Sequence, residues 1–289
     1  MSSSEAKTIT VIGSGLIGRS WAMVFMSGGY RVKIYDNQAA RAFQEVRKQL
    51  EELQEAHILS GQLSASEQLA LLSSHDLPQA LAGTFFIQER VFEETEDKQI
   101  VFQVVESHVG EGVILSSSTC SLLPGNVFSR TGSFSSLQVN PPYYLRLVEL
   151  VPHPETLPGV MDTTAPVRLK KEIDGFALNR VQYAIIAESW RNGVISVKDI
   201  DLVMSEGLGM RYAFIGPMET MHLNAPEGLE DYLQRYREGM RSVLTAFGPV
   251  PEFSGEAAEC INKVAEPQHL SARRERRDQL LMGLAKLKK

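Results

Sequence analysis

Thr8-Ile9-Thr10-Val11-Ile12 is a β-branched, apolar run that leads straight into Gly13-Ser14-Gly15-Leu16-Ile17-Gly18, and no other stretch of the chain limits the fold as much. A helical pattern follows through Trp21, Ala22, Val24 and Phe25, then Gly28-Gly29, then a second apolar run closed by Asp36. Strand, glycine turn, helix, strand and acid in this order describe the mononucleotide-binding half of a doubly wound sheet. Gly13 permits the tight turn, Gly15 lets a pyrophosphate approach the backbone, and Gly18 lets the helix pack close to the strand. The start of the helix, at Leu16 and Ile17, presents unpaired N–H groups and a positive dipole end to the phosphates. Asp36 lies 18 residues beyond Gly18, where a carboxylate accepts both ribose hydroxyls and repels a 2′-phosphate. The expected cofactor is NAD rather than NADP.

A chain of 289 residues with 43% hydrophobic content is long enough for two cores. Its net charge of −6 argues against a nucleic-acid or anionic-membrane partner. The basic runs Arg273-Arg274-Glu275-Arg276-Arg277 and Lys286 to Lys289 read as a solvated helix with cations toward its C-terminal end. Cys120 and Cys260 are too few for a disulfide framework or a cysteine-based metal site, so no metal is expected. Residues 1–7 lack an apolar core of the signal-peptide kind, and no stretch reaches membrane-spanning length; a soluble, cytoplasmic protein is the expectation.

Beyond Asp36, residues 38 to 57 carry Phe43, Val46, Leu50 and Leu53 at helical spacing, and a second helix is expected from Ser66 through Leu72. The two predict a helical hairpin inserted after the second strand. Thr84 to Glu89 reads as a buried strand, and Glu93 to Glu106 as a helix with Ile100, Val101, Phe102 and Val105 inward. Val113-Ile114-Leu115 is a short strand ending in the hydroxyl-rich Ser116 to Ser121, which fits either a ligand loop at the sheet's carboxyl edge or a helix-capping turn. Ser133 to Val151 is extended, with Glu149 inside an apolar strand. That carboxylate either faces water at a strand edge or is buried, where it must be paired or protonated. Val167 to Ile173 predicts the last strand, and helices dominate from Asn179 onward. The pattern divides the chain into an α/β domain over 1–173 and an all-α domain over 174–289.

In Gly13 to Ser20, Val139-Asn140-Pro141-Pro142-Tyr143-Tyr144 to Pro154-Glu155-Thr156, Gly175-Phe176-Ala177-Leu178-Asn179-Arg180, and Asp201 through Asn224, the chain resembles the 3-hydroxyacyl-CoA dehydrogenase superfamily. The last run is similar to the lambda-crystallin branch rather than to the acyl-CoA enzymes. The resemblance runs from about residue 8 to the C-terminus and implies a Rossmann-type NAD-binding domain, followed by a helical domain through which two subunits form a homodimer. It also implies oxidation of the 3-hydroxyl of a small hydroxy acid, L-gulonate. The phosphate loop carries over onto Gly13, Ser14, Gly15, Leu16, Ile17 and Gly18, and the ribose acid onto Asp36. Glu93 and Lys98 match a Glu and Lys that help hold the nicotinamide half of NAD; read without the family they are a solvated charge pair. The substrate-contacting Ser of the family falls on Cys120, with Ser121 beside it. Asn179 matches the substrate-side Asn, against the plainer reading of a residue capping its own helix.

One departure concerns the base. The family places a His twelve residues before the strand Glu, where it takes the hydroxyl proton while the Glu orients it. Twelve residues before Glu149 stands Leu137, followed by Gln138 where Pro is expected. His153 does not replace it, since four strand residues put it roughly 13 Å along the chain. His222, in the helical domain, reads as a partly buried structural residue. The chain is also shorter than the family pattern between Pro124 and Val139, near Thr163 to Pro166 and near Arg191-Asn192-Gly193. Three expectations follow: an active dehydrogenase, with Arg211 as a carboxylate partner by charge; an NAD(H)-binding but catalytically impaired, crystallin-like protein; or a shortened isoform of an active enzyme.

Overall fold

The computed structural model describes residues 6–119, 122–128, 133–138, 143–145, 147–154, 156, 167–191, 196–246 and 270–288. The chain divides into two compact units, one of 1–180 with Arg277–Leu287, the other Val181–Arg276.

The first unit begins with β1 (Thr8–Ile12), α1 (Leu16–Ser27), β2 (Arg31–Tyr35) and α2 (Ala39–Glu55). It continues with α3 (Ala65–Leu69), β3 (Leu72–Ser74), α4 (Leu77–Leu81), β4 (Thr84–Glu89), α5 (Thr95–His108) and β5 (Ile114–Ser117). Then come α6 (Pro124–Val127), β6 (Ser133–Gln138), β7 (Val148–Pro152) and β8 (Val167–Arg168). The eight strands form one sheet in the order β3-β2-β1-β4-β5-β6-β7-β8, parallel except for the antiparallel pair β6–β7. Between β1 and β4 the strand order reverses direction, which opens a crevice at the strands' carboxyl ends.

Helices cover the central strands on both sides, as a parallel sheet requires. Val11, Val32 and Ile34 pack under Met23, Met26, Val46, Leu50 and Leu53 of α1 and α2. Ile12, Ile87 and Leu115 pack under Phe102 and Val105 of α5. Ile100 is 57% exposed rather than inward, because it lies off the stripe that carries Phe102 and Val105.

Three expectations change. The second arm of the anticipated hairpin is a single turn, held by a capping box of Ser64 and Glu67. Leu72 belongs to the edge strand β3, paired with Val32, and not to that helix. Only two residues of the run from Val167 to Ile173 are strand.

In the second unit the elements are helical, starting within α7 (Leu178–Arg191) and followed by α8 (Val197–Leu202), a π-helical turn over Val203–Leu208, α9 (Gly209–Tyr212), α10 (Pro217–Leu223) and α11 (Leu229–Thr245). A final helix α12 (Leu270–Leu287) presents Arg273, Arg274 and Arg276 to solvent and returns to the first unit, where Met282 packs on the α1–α2 core. The helix expected over 254–265 lies outside the described residues. His222 is exposed, not partly buried, and its Nδ1 accepts the Leu229 N–H at 3.1 Å, so it closes the turn into α11. Among the described residues no helix is long and apolar enough to cross a membrane.

Candidate functional site

The glycine turn after β1 shows why each glycine is there. Gly13 has φ +93°, and a Cβ on it would lie 2.3 Å from the Arg90 carbonyl oxygen. A Cβ on Gly18 would lie 1.9 Å from the Gly13 carbonyl oxygen. Gly15 is different: nothing stands within 4 Å of its would-be Cβ, so the backbone there faces open space. Helix α1 starts immediately after it, with no side chain capping its first turn. Unpaired N–H groups and an approachable backbone together suit a phosphate anion.

Asp36, at the end of β2, turns back toward this loop. Its Oδ2 accepts the Ser14 N–H at 2.6 Å and its Oδ1 accepts the Gln38 N–H at 2.7 Å. The bonds fix the carboxylate, and each oxygen keeps a further lone pair for a ribose hydroxyl. The cleft in front measures about 760 Å³ and is lined by Gly13 to Ile17, Arg19, Asp36 to Gln38, Arg41, Ala42 and Arg90 to Phe92. Its size and donor set fit the adenosine and pyrophosphate portions of a dinucleotide.

Beyond the glycine turn, β4 and β5 bring a buried ionic cluster to the same sheet edge. Lys98 and Glu89 are fully buried, with Lys98 Nζ 2.9 and 3.1 Å from the two carboxylate oxygens. Glu93 joins at 3.7 Å, with its side chain 30% exposed. The Ser117 hydroxyl and the Val91 N–H also donate to Glu89. A solvated Glu93–Lys98 pair is therefore excluded. The sequence reading places Glu89 in a buried strand but gives it no role; an acid at the carboxyl end of a buried parallel strand is the signal that marks the cluster.

In its described part the hydroxyl-rich loop makes the capping turn and ties neighbouring elements together. Thr119 accepts the Leu122 N–H at 2.9 Å, as a capping turn does, and donates to Glu93. Ser118 accepts from the Trp21 indole at 2.7 Å and from the Gln88 amide at 3.0 Å. Cys120 and Ser121 lie outside the described residues.

Glu149 is 3% exposed, which removes the water-facing reading. The turn Gly175-Phe176 has φ +70° and +52°, and Phe176 is buried against Val151, Leu169 and Leu178. A left-handed conformation in a bulky residue is held by such burial. It aims the start of α7 at the carboxylate, so the Leu178 N–H meets both oxygens at 3.0 and 3.1 Å. Burial pushes the Glu149 carboxyl above its ordinary value, and the backbone donors Leu178 and Ala177 offset this in part. Asn179 follows as the second residue of α7 and is buried. In the β6–β7 register Leu137 stands directly opposite Glu149. The position twelve residues back is thus its cross-strand neighbour, at the spacing where side chains meet. His153 lies just past the end of β7, away from that pairing.

The open backbone at Gly15 and a fixed acid at the end of β2, beside the strand-order switch, define the class: a dinucleotide-binding domain of the dehydrogenase type. Two family models specify it further, one described as 3-hydroxyacyl-CoA dehydrogenase, NAD binding domain, over residues 8–173, the other as the C-terminal domain of the same enzymes, over 175–264. The chain belongs to the 3-hydroxyacyl-CoA dehydrogenase family, and NAD is its cofactor. Within that family it groups with the lambda-crystallins. It is 51% identical to lambda-crystallin of Oryctolagus cuniculus, covering 100% of this chain and 98% of the relative. The lambda-crystallin homolog of Homo sapiens is 49% identical with the same coverage. The rabbit alignment spans 315 positions against 289 residues here, so about 26 positions face a gap in this chain. Among solved structures, an NAD+-dependent 5-formyl-3-hydroxy-2-methylpyridine 4-carboxylic acid 5-dehydrogenase shares the fold, with a TM-score of 0.82, 22% identity and 98% coverage of both chains.

Proposed function

We propose that this NAD-dependent oxidoreductase acts on the 3-hydroxyl of a small hydroxy acid, L-gulonate by its resemblance to the lambda-crystallins, and that its turnover is lowered by the leucine at position 137. The observation that carries the reading is the pairing of Leu137 with Glu149, in a chain whose cleft for the adenosine and pyrophosphate portions of the cofactor is formed. When bound, NAD supplies the hydride acceptor. Gly13 to Gly18 hold its pyrophosphate, Asp36 its adenosine ribose, and Glu93 with Lys98 its nicotinamide half. On the substrate side, Asn179, with Cys120 and Ser121, takes the positioning role that the family assigns there. Glu149 waits, buried and oriented by the start of α7, for an imidazole that this chain lacks. Leucine accepts no proton, and loss of a positioned general base lowers the rate about 10²- to 10⁴-fold.

A second reading is a shortened form of an active enzyme, favoured by the roughly 26 unmatched positions. The exposed Val181, Tyr183, Phe214, Met218 and Val243 of the helical unit support assembly as a homodimer. The low cysteine content supports a reducing, cytoplasmic location.

The purified protein is titrated with NADH by fluorescence, sized by light scattering, and assayed with L-gulonate and NAD beside Leu137→His. Binding of NADH by a dimer, weak turnover in the parent and a gain of at least tenfold in Leu137→His support the proposal. Full family-like turnover in the parent overturns the account of the base. Loss of NADH binding means that the missing positions have damaged the cofactor site itself.

A further inference from the structure

Phe92 is 82% exposed, the most exposed of the large apolar side chains among the described residues. A phenylalanine left in water forgoes the stabilisation of burial, and here the residues on either side of it are held. On one side, the Arg90 N–H donates to the Ile12 carbonyl at 2.7 Å, and the Val91 N–H donates to buried Glu89. On the other, Glu93 is held by Thr119 and Lys98. Val91 packs against the α5 core, and Phe92 is directed outward. It does not point at random solvent: it lines the cleft that also contains Gly15 and Asp36. Leu16, 46% exposed at the start of α1, shares that lining with Ile17, Ala42 and Val91, beside the charged Arg19, Asp36, Arg41 and Arg90.

We infer that Phe92 is a cofactor-binding residue whose ring stacks on the adenine of NAD. The cleft it lines contains the ribose acid Asp36 and the residues just after β2, whereas Glu93, Lys98 and Ser118 do not line it; Phe92 therefore belongs to the adenosine end. A flat, apolar ring at a cleft of mixed polar and apolar lining gives an aromatic base a face to stack on, an interaction that tolerates any purine. The inference rests on NAD binding and is independent of whether the chain turns over.

Affinities for NADH and for ADP-ribose are measured by fluorescence titration and competition in the parent, Phe92→Ala and Phe92→Trp, together with the melting temperature of each without ligand. Phe92→Ala is expected to bind both ligands more weakly by the same factor, roughly five- to 150-fold, the span of base–aromatic stacking. Its melting temperature stays at the parent's, since the ring is exposed, and Phe92→Trp keeps the affinity. An Ala variant within twofold of the parent for NADH overturns the inference. Weakened NADH with unchanged ADP-ribose overturns the assignment to adenine. A parent that binds neither ligand removes the cofactor reading, and the inference with it.

Discussion

Replacing Glu89 by Gln keeps the shape of the side chain and removes one negative charge from a site with no access to water. Lys98 then loses its charged partner at 2.9 and 3.1 Å and keeps Glu93 at 3.7 Å with the Val91 and Ser118 carbonyls at 3.5 Å. Removing one member of a buried ion pair costs about 3–5 kcal/mol, because the other charge stays behind unpaired. The remaining Glu93 places the expectation at the low end, about 3 kcal/mol, which multiplies the unfolded fraction roughly 150-fold. Urea unfolding followed by fluorescence measures this, with NADH affinity as a parallel readout, since Glu89 also fixes the Val91 N–H at the cleft. Adding Lys98→Met to Glu89→Gln removes the stranded ammonium and fills its space with an apolar chain. That double variant should recover most of the lost stability while NADH affinity stays weak. A Glu89→Gln protein within about 1 kcal/mol of the parent, or a double variant no more stable than the single, refutes the reasoning from desolvation.

The glycine turn separates stability from binding. Gly15→Ala should unfold at the parent's urea concentration yet lose NADH affinity at least tenfold, because its methyl enters only open space. Gly13→Ala and Gly18→Ala should lose about 1–3 kcal/mol of stability, their methyls meeting carbonyl oxygens at 2.3 and 1.9 Å; equal stability of all three proteins would contradict this. The buried Glu149 predicts a pH dependence. Its folded pKa is raised above 4.5, so the folded state binds this proton more tightly than the unfolded chain. Stability falls as pH rises from the unfolded value through the folded one, and the loss is complete above the latter. In Glu149→Gln that dependence disappears, so the urea midpoint of the variant relative to the parent should move in the variant's favour as pH rises above 4.5. A constant difference across that range would show that burial does not govern the group.

Local chemistry explains what was legible beforehand. The turn at Gly13 to Gly18, its flanking strands and Asp36 are a contiguous unit whose residue types are dictated by backbone geometry, so its ligand class could be read directly. Elements whose partners lie far away in sequence were harder. Leu72 follows a helical stretch in apolar pattern, and only pairing with Val32 makes it a strand. Ile100 and Phe102 are alike in composition, and only the position of the sheet decides which one is covered.

The site divides along the same line. By itself the sequence determined that the chain holds NAD and that position 137 carries no imidazole, since both are statements about which residue types stand where. The tertiary structure decided what Glu149, Lys98, Glu89 and Phe92 are. Each is a charged or apolar side chain whose meaning depends on solvent, and solvent is excluded or admitted by elements up to tens of residues distant. Pairing of β6 with β7 set Leu137 against Glu149, and packing of α5 on β4 and β5 turned an ordinary charge pair into a buried cluster. A fixed loop after β4 left one aromatic ring waiting in the cleft.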